Sequence, residues 1–185
     1  MPIFRGGVQA DNFVLVTDFK ITTIRFWGGY GINAPPYEDQ FIISFFENSP
    51  TNRPQAMPLV RFRQVNGKRA PTLFRTGPGG SVFQYDLFLP LPVPLRAGTT
   101  YYVSVDHTLG SWAWSGAGPG SFWYRENDGS SWISSSPGRP QNLSFELFED
   151  PVSERSRQGL AGDAGASRAM PQETQTPQAS PVAGQ

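Results

Sequence analysis

Residues 83–87 read Phe-Gln-Tyr-Asp-Leu and residues 143–147 read Leu-Ser-Phe-Glu-Leu, and these two stretches decide the fold. In both of them apolar and polar side chains alternate with a period of two, so an extended strand carries the apolar ones on a single face. Such a strand covers a core with one face and meets solvent with the other. The chain is therefore expected to build antiparallel sheets.

The same strand pattern extends over most of the chain up to residue 150. Short runs rich in Phe, Val, Ile, Tyr and Trp alternate with Gly, Pro and Asn, which is typical of strands joined by turns. Nine strands are predicted at residues 13–16, 21–27, 40–47, 59–65, 82–89, 100–107, 112–114, 121–126 and 143–148, with a short tenth strand around Trp132. We expect residues 1–150 to form an all-β domain, a two-sheet antiparallel sandwich of jelly-roll type.

Several segments carry residues that interrupt strands. Residues 90–95 read Pro-Leu-Pro-Val-Pro-Leu, and because a proline lacks the ladder N–H, this segment is expected at a sheet edge or in a crossover between sheets. The pairs Gly28-Gly29, Asn66-Gly67 and Asp128-Gly129 are expected in turns. From residue 151 onward Gly, Ala, Pro and Gln dominate and aromatics vanish, so residues 151–185 are predicted to be a disordered tail.

Composition narrows the classes of function. Fifteen basic and fifteen acidic side chains give a net charge of zero, which argues against nucleic acid or an anionic membrane as a partner. The absence of cysteine excludes disulfides, thiolate metal sites and cysteine nucleophiles. Residues 1–10 lack a signal-peptide pattern, and no apolar run approaches the roughly 18 residues of a spanning helix, so no membrane segment is expected.

The order of the predicted strands, more than any single motif, resembles one known family. Its members are β-sandwich ectodomains of bacterial surface proteins that often end in an exosortase sorting signal of the PEP-CTERM type. The resembling stretches are Ala10-Asp11-Asn12-Phe13, residues 21–30, residues 39–46, Tyr85-Asp86-Leu87, residues 95–105, Trp112-Ala113-Trp114 and residues 143–147. The resemblance implies an extracellular or cell-surface module with a non-enzymatic role in display, adhesion or matrix assembly. It implies glycans or other surface and matrix proteins as partners.

Aromatic side chains beside Gly-rich turns suggest an alternative, a carbohydrate-binding module, because flat rings stack on sugar rings. The candidate residues are Trp27, Tyr30, Trp112, Trp114, Trp123, Tyr124 and Trp132. The competing interpretation is that these rings fill the core or close its ends. Trp112 and Trp114 are two residues apart, so on a strand they face the same side, and we expect both to be buried or both to be exposed.

Calcium often braces the loops of sandwich domains and takes about six to eight oxygen ligands. Oxygen ligands are available at Glu38, Asp39, Asp106 and Asp128. These residues show no EF-hand spacing and no dense acidic loop, and Asp128 is expected in a hairpin turn. No metal ligand and no cofactor are therefore assigned, and a structural calcium ion stays an alternative.

Two enzymatic interpretations are also open. A Ser-His-Asp triad would need His107, the only histidine, but its neighbour Asp106 would point to the opposite face of the strand. A polysaccharide hydrolase would need two carboxyls about 5 to 9.5 Å apart. Its candidate carboxylates are Glu47, Asp86, Glu126 and Glu146. Sequence alone pairs none of them, so no catalytic residue is assigned.

The predicted strands contain one basic cluster. It comprises Arg61, Arg63, Lys68 and Arg69. Long charged side chains commonly cover the outer face of a sheet, so we interpret the cluster as a solvated surface. The nearby Gly-rich residues 77–80 lack the Lys-Ser/Thr ending of a phosphate-binding loop, and no phosphate site is assigned to them.

Overall fold

The computed structural model describes residues 7–30, 35, 38–76, 80–108, 112–116, 120–127, 129–135 and 142–149. Within these ranges the chain forms strands and turns but no helix, so none that could cross a membrane. The strands are β1 Val8–Val14, β2 Phe19–Gly29, β3 Gln40–Glu47, β4 Val60–Asn66, β5 Lys68–Thr76, β6 Gly80–Leu95, β7 Thr100–His107, β8 Ala113–Trp114, β9 Trp123–Arg125, β10 Ile133–Ser134 and β11 Phe145–Phe148. The predicted tail at 151–185 and Asp128 lie outside the described residues.

The strands form two antiparallel sheets, which confirms the predicted sandwich. The six-stranded sheet has the order β10-β9-β1-β7-β3-β4, and the five-stranded sheet has the order β11-β2-β6-β5 with β8 added to β2. Strand β1 pairs with β7 in one sheet while β2 pairs with β6 in the other. This nesting of early strands with late ones is the pairing pattern of jelly rolls.

The main core lies between the two sheets and is built largely from aromatic rings. Phe26 of β2 stands edge-on to Phe41 of β3 at 5.0 Å and stacks on Tyr85 of β6 at 5.2 Å. Such ring pairs contribute roughly 0.5 to 1.5 kcal/mol each beyond their burial. The fully buried side chains around them include Ile21, Ile24, Ile43, Phe45, Leu87 and Val103.

A second apolar cluster covers the outer face of the six-stranded sheet. It comprises Val8, Ala10, Phe46, Tyr102 and Trp132. The connection between β3 and β4 packs over this cluster. The Trp132 Nε1–H donates to the carbonyl of Gln55 at 3.0 Å, and Arg125 Nη1 donates to the carbonyl of Ala56 at 3.0 Å. The Arg125 guanidinium lies 4.5 Å from the Trp132 ring centre, so a buried cation–π contact fixes this cover.

The predicted and observed strand bounds agree best in strands where apolar residues dominate. Strands β3 and β7 occupy residues 40–47 and 100–107, as predicted, whereas β1 begins at Val8 rather than at residue 13. The prediction that Gly28-Gly29 form a turn is wrong, since both glycines lie inside β2 and pair with Phe83 and Val82. A Cβ on Gly28 would lie 2.1 Å from Cζ2 of Trp112, which is the physical reason for glycine there.

The region 66–76 differs most from the prediction. Strand β5 was not expected, because its sequence contains Lys68, Arg69 and Pro71 and lacks alternation, but it pairs along β6. Asn66-Gly67 does not close a hairpin, since it carries the chain from β4 in one sheet to β5 in the other. A Cβ on Gly67 would lie 3.0 Å from both Phe41 and Leu87, so close packing at the core favours glycine.

The proline-rich residues 90–95 continue β6 rather than crossing between the sheets. They pair with β2 on one side, where Ile21 faces Val93 and Lys20 faces Pro94. On the other side β5 reaches only as far as Asp86. The segment therefore forms a sheet edge, which is one of the two predicted positions, because an edge tolerates residues that lack a backbone N–H.

Candidate functional site

A polar network closes one end of the sandwich. Tyr30 directly follows β2, Asp39 directly precedes β3, His107 ends β7 and Arg69 lies in β5. Antiparallel pairing brings the end of β7 beside the start of β3, where His107 faces Phe41. Four strand ends thus supply the polar side chains of one cluster.

The network is a chain of hydrogen bonds that ends on an ion pair. The hydroxyl of Tyr30 donates to Oδ1 of Asp39, and Nε2 of His107 lies 3.0 Å from the same hydroxyl. Since the Tyr30 proton is directed at the carboxylate, we assign the proton of His107 to Nε2, which donates to the Tyr30 oxygen. Nη1 of Arg69 lies 3.1 Å from Oδ2 of Asp39.

Burial shifts the pKa values of His107 and Tyr30 in this network. Asp39 is 5% exposed and His107 is 4% exposed. Burial lowers the pKa of His107, and the charge of Asp39 offsets only part of that effect, so the ring is neutral at neutral pH. Burial and the hydrogen bond to Asp39 raise the pKa of Tyr30, which keeps its hydroxyl protonated. Asp39 and Arg69 form the ion pair of the network.

A pocket of about 380 Å³ opens in front of the ion pair. Its lining residues are Glu38, Asp39, Asn66, Gly67 and Arg69. Arg69 and Asn66 offer hydrogen-bond donors, whereas Glu38 offers acceptors, so the pocket suits a small polar molecule. Of the residues considered for calcium, Glu38 and Asp39 lie here, but Arg69 already pairs with Asp39. No group of three acidic, histidine or cysteine side chains that could hold a metal ion occurs among the described residues.

The outer face of the five-stranded sheet carries a second polar feature, a row of alternating charges across four strands. In register, Glu146 of β11 faces Arg25 of β2, Arg25 faces Asp86 of β6, and Asp86 faces Lys68 of β5. Nε of Arg25 lies 2.7 Å from Oδ1 of Asp86, and Nη1 lies 3.5 Å from Oε2 of Glu146. The hydrogen bond to Asp86 raises the pKa of Arg25, so this guanidinium is firmly charged.

Aromatic side chains flank this row on both sides. Trp27 lies two residues beyond Arg25 on β2, is half-buried and faces Gln84 of β6. In the other direction Thr23 lies between Phe148 of β11 and Phe88 of β6, and Phe88 is 42% exposed. We call this surface the ladder face, and it comprises Thr23, Arg25, Trp27, Lys68, Gln84, Asp86, Phe88, Glu146 and Phe148.

The seven aromatic residues predicted for sugar binding do not share one surface. Trp114 is buried in the main core, Trp132 in the second cluster, and Tyr30 in the polar network. Their ring faces are therefore closed to solvent, as in the competing core-filling interpretation. Trp112 is half-buried against the same core as Trp114, so both face one side, as expected from their spacing.

The three remaining aromatics are half-buried, and their rings pack in different places. Tyr124 packs against the main core, Trp123 packs against the second cluster, and Trp27 lies on the ladder face. Trp27 lies two residues from Arg25, whose side chain is 13% exposed. That Trp27 stacks on a sugar ring stays a prediction.

The carboxylates considered for hydrolysis are also dispersed. Asp86 and Glu146 lie on the same row, but Arg25 stands between them and contacts both. Glu47 ends β3 on the other sheet, where the amide of Gln55 lies 3.5 Å from it, and Glu126 follows β9. The sequence pattern does not reveal either the Arg25 row or the Tyr30–Asp39–His107 network, because their members are far apart in the chain.

Comparison of the chain with protein-family models, curated proteins and solved structures finds no match.

Proposed function

We propose that this domain is a non-enzymatic module of a bacterial surface, extracellular or cell-bound, that acts in display, adhesion or matrix assembly. The observation that carries the proposal is the ladder face, where Arg25 and its two carboxylate partners are held in register across three neighbouring strands. The side chains of Arg25 and Asp86 are 13% and 5% exposed, whereas that of Glu146 is 51% exposed. The buried pair therefore holds the row in place, and Glu146 presents a preorganised charge to another macromolecule. The strand order that resembles bacterial ectodomains supports the same role.

The state of His107 also favours binding over catalysis. It is the only histidine of the chain, and its Nε2 is engaged by Tyr30 inside the polar network. A general base must reach the proton that it removes, whereas this imidazole lies behind Tyr30 and Asp39. The network accordingly supports a role in holding the strand ends together.

Surface shaving of the native bacterium tests the proposal. Intact cells are treated with protease, and the released peptides are identified by mass spectrometry, with a ribosomal protein as the internal control. Peptides of this domain are expected in the supernatant of intact cells, while ribosomal peptides are absent. Release of the domain only after lysis, together with the ribosomal control, would overturn the surface location.

A carbohydrate-binding module is a second candidate, favoured by the arrangement of the ladder face. Trp27 and Thr23 are four residues apart on β2, which corresponds to about 13 Å, with Arg25 between them. Thr23 is fully buried and the side chain of Asp86 is only 5% exposed, so a glycan lying along β2 would stack on Trp27, hydrogen-bond to Arg25 and reach Phe88. This geometry fits an extended neutral glycan of several units.

A glycan array followed by calorimetry tests this second function. The variants W27A and F88A are expected to lose binding at least about tenfold, because each removes a stacking surface. F74A is the matched control, since Phe74 is also an exposed phenylalanine of the same sheet but lies in β5 away from the row. A blank array, or equal binding by W27A and F74A, would remove the basis of the sugar-binding function.

A further inference from the structure

Positive charge is concentrated in one part of the chain. Between Glu47 and Asp86 the sequence contains no acidic residue. The basic residues in that interval are Arg53, Arg61, Arg63, Lys68, Arg69 and Arg75. Since the whole chain has fifteen residues of each sign, nine basic and fifteen acidic residues remain for the rest of it. The net charge of zero therefore conceals a strong local asymmetry.

The fold arranges five of these cations along one side of the sandwich. Strand β4 ends the order of the six-stranded sheet and β5 ends that of the five-stranded sheet, with Gly67 alone between them. The extended run 60–76 thus passes from the edge of one sheet to the edge of the other. We call it the basic edge, and its cations are Arg61, Arg63, Lys68, Arg69 and Arg75.

The charges that face the basic edge are unevenly distributed. Asp39 pairs with Arg69, Glu38 lines the same pocket, and Asp86 lies opposite Lys68. These carboxylates gather near the middle of the edge, where the chain crosses between the sheets.

Arg63 and Arg75 lie toward the two ends of the edge and are both exposed. Nη1 of Arg75 donates to the hydroxyl of Ser81 at 3.4 Å. The two arginines are twelve residues apart, up to roughly 40 Å along an extended chain. Because they belong to the edge strands of different sheets, a linear polymer that runs along the basic edge contacts both.

Strands β4 and β5 both have features that hinder the addition of a further peptide strand. Pro71 offers no N–H, the register of β5 shifts between Pro71 and Arg75, and Gln64 of β4 has a φ of +56°. Proline, bulges and charged side chains are the devices by which sheet edges reject another strand. An acidic peptide that binds by strand addition is therefore disfavoured, which leaves side-chain recognition of a polyanion.

We propose that the basic edge binds a linear acidic polysaccharide, with Arg63 and Arg75 contacting carboxylate or sulfate groups along the polymer. The planar guanidinium forms paired hydrogen bonds with either group. The inference rests on the proposed adhesive function, since it names a class of ligand for it. It places that ligand on the side of the sandwich rather than on the ladder face.

The test compares two charge reversals of equal size in the full-length protein. The variant R63E/R75E reverses the two exposed ends of the basic edge. The control K20E/R96E reverses two exposed cations at one end of the five-stranded sheet, where Lys20 near the start of β2 faces Pro94 and Arg96 directly follows β6. Binding to immobilised polyuronate and to heparin is measured at about 50 mM and about 200 mM salt, because screening weakens such contacts.

The wild type is expected to bind at the lower salt concentration and to weaken at the higher one. R63E/R75E should lose about tenfold or more in affinity, while K20E/R96E stays within about twofold. No binding by the wild type, equal loss in both variants, or tighter binding to single-stranded DNA than to polyuronate would overturn the proposal. W27A is expected to bind polyuronate normally, and surface shaving does not depend on this ligand, so the proposals fail separately.

Discussion

Among single residues, Tyr30 determines how the charge of Asp39 is accommodated inside the protein. Its hydroxyl is the link between the neutral His107 and the carboxylate, while Arg69 neutralises the other oxygen. A buried charge is tolerated only with such partners, because desolvation otherwise exceeds the electrostatic gain. The neighbouring Tyr85 differs, since its buried hydroxyl lies near Tyr30 and Trp112 but makes no hydrogen bond of standard geometry among the described residues.

The two tyrosines should therefore respond differently to loss of the hydroxyl. Y30F removes a donor from the buried Asp39, and we expect the free energy of unfolding to fall by about 1 to 3 kcal/mol. Y85F removes a hydroxyl that makes no hydrogen bond of standard geometry, so the free energy of unfolding should change by less than about 1 kcal/mol. Urea unfolding of both variants at neutral pH checks this contrast, and equal losses would contradict the assigned role of Tyr30.

Asp11 makes the stability depend on pH. Burial raises its pKa from 3.8 to about 6, although the N–H groups of Leu143 at 2.6 Å and Asn12 at 2.8 Å oppose this. The folded state thus binds the proton more tightly than the unfolded state. This contribution to stability is fully present below about pH 4 and is lost as pH rises through about 6.

The variant D11N isolates this effect, because His107, whose pKa is lowered by burial, acts in the opposite direction. The stability of the wild type relative to D11N is expected to increase by up to about 3 kcal/mol between neutral pH and about pH 4. Denaturant unfolding across this pH range provides the measurement. A difference that does not change with pH would show that Asp11 titrates normally in the folded protein.

At the level of strands, apolar alternation predicts which residues are buried, but it does not predict the strands at the sheet edges. Strands β3 and β7 are central in their sheet, so their own apolar residues fix their bounds. Strand β5 lies at an edge and is held by backbone pairing with β6, which leaves no apolar pattern in its sequence. Glycines are ambiguous for the same reason, since Gly28 and Gly29 look like a turn until the neighbours that pack on them are known.

Gly28 provides a test of the contact between β2 and β8. A Cβ there would lie 2.1 Å from the Trp112 ring and 2.6 Å from the carbonyl oxygen of Ala113, and the backbone atom has little freedom to move. We expect G28A to lower the free energy of unfolding by about 3 kcal/mol or more. G98A is the control, since Gly98 has a φ of +68° and an open surrounding, so it should cost only about 1 kcal/mol. Similar losses in thermal unfolding would contradict this packing.

For the whole molecule, the order of strands follows from contacts that no local pattern contains. Ala10 faces Ser104 and Ile24 faces Leu87, so the nested pairs join residues that are remote in sequence. Alternation indicates which face of each strand is buried, and many neighbour orders satisfy that condition equally well. The polar network and the Arg25 row arise only after this order is fixed, which is why the sequence predicted the sandwich but neither candidate site.

The strand order also predicts where the folded unit ends at its C-terminal side. Strand β11 pairs with β2 from Phe145 to Phe148, and the hydroxyl of Thr22 donates to the carbonyl of Phe148 at 3.3 Å. A fragment of residues 1–150 keeps these contacts, and its thermal midpoint should lie within about 2 °C of the full chain. A fragment of residues 1–144 lacks β11 and exposes Ile24 and Trp114, so we expect its midpoint to fall by about 10 °C or more. Calorimetry of the three proteins provides the measurement, and an equal decrease in both fragments would contradict a boundary of the folded unit at residue 150.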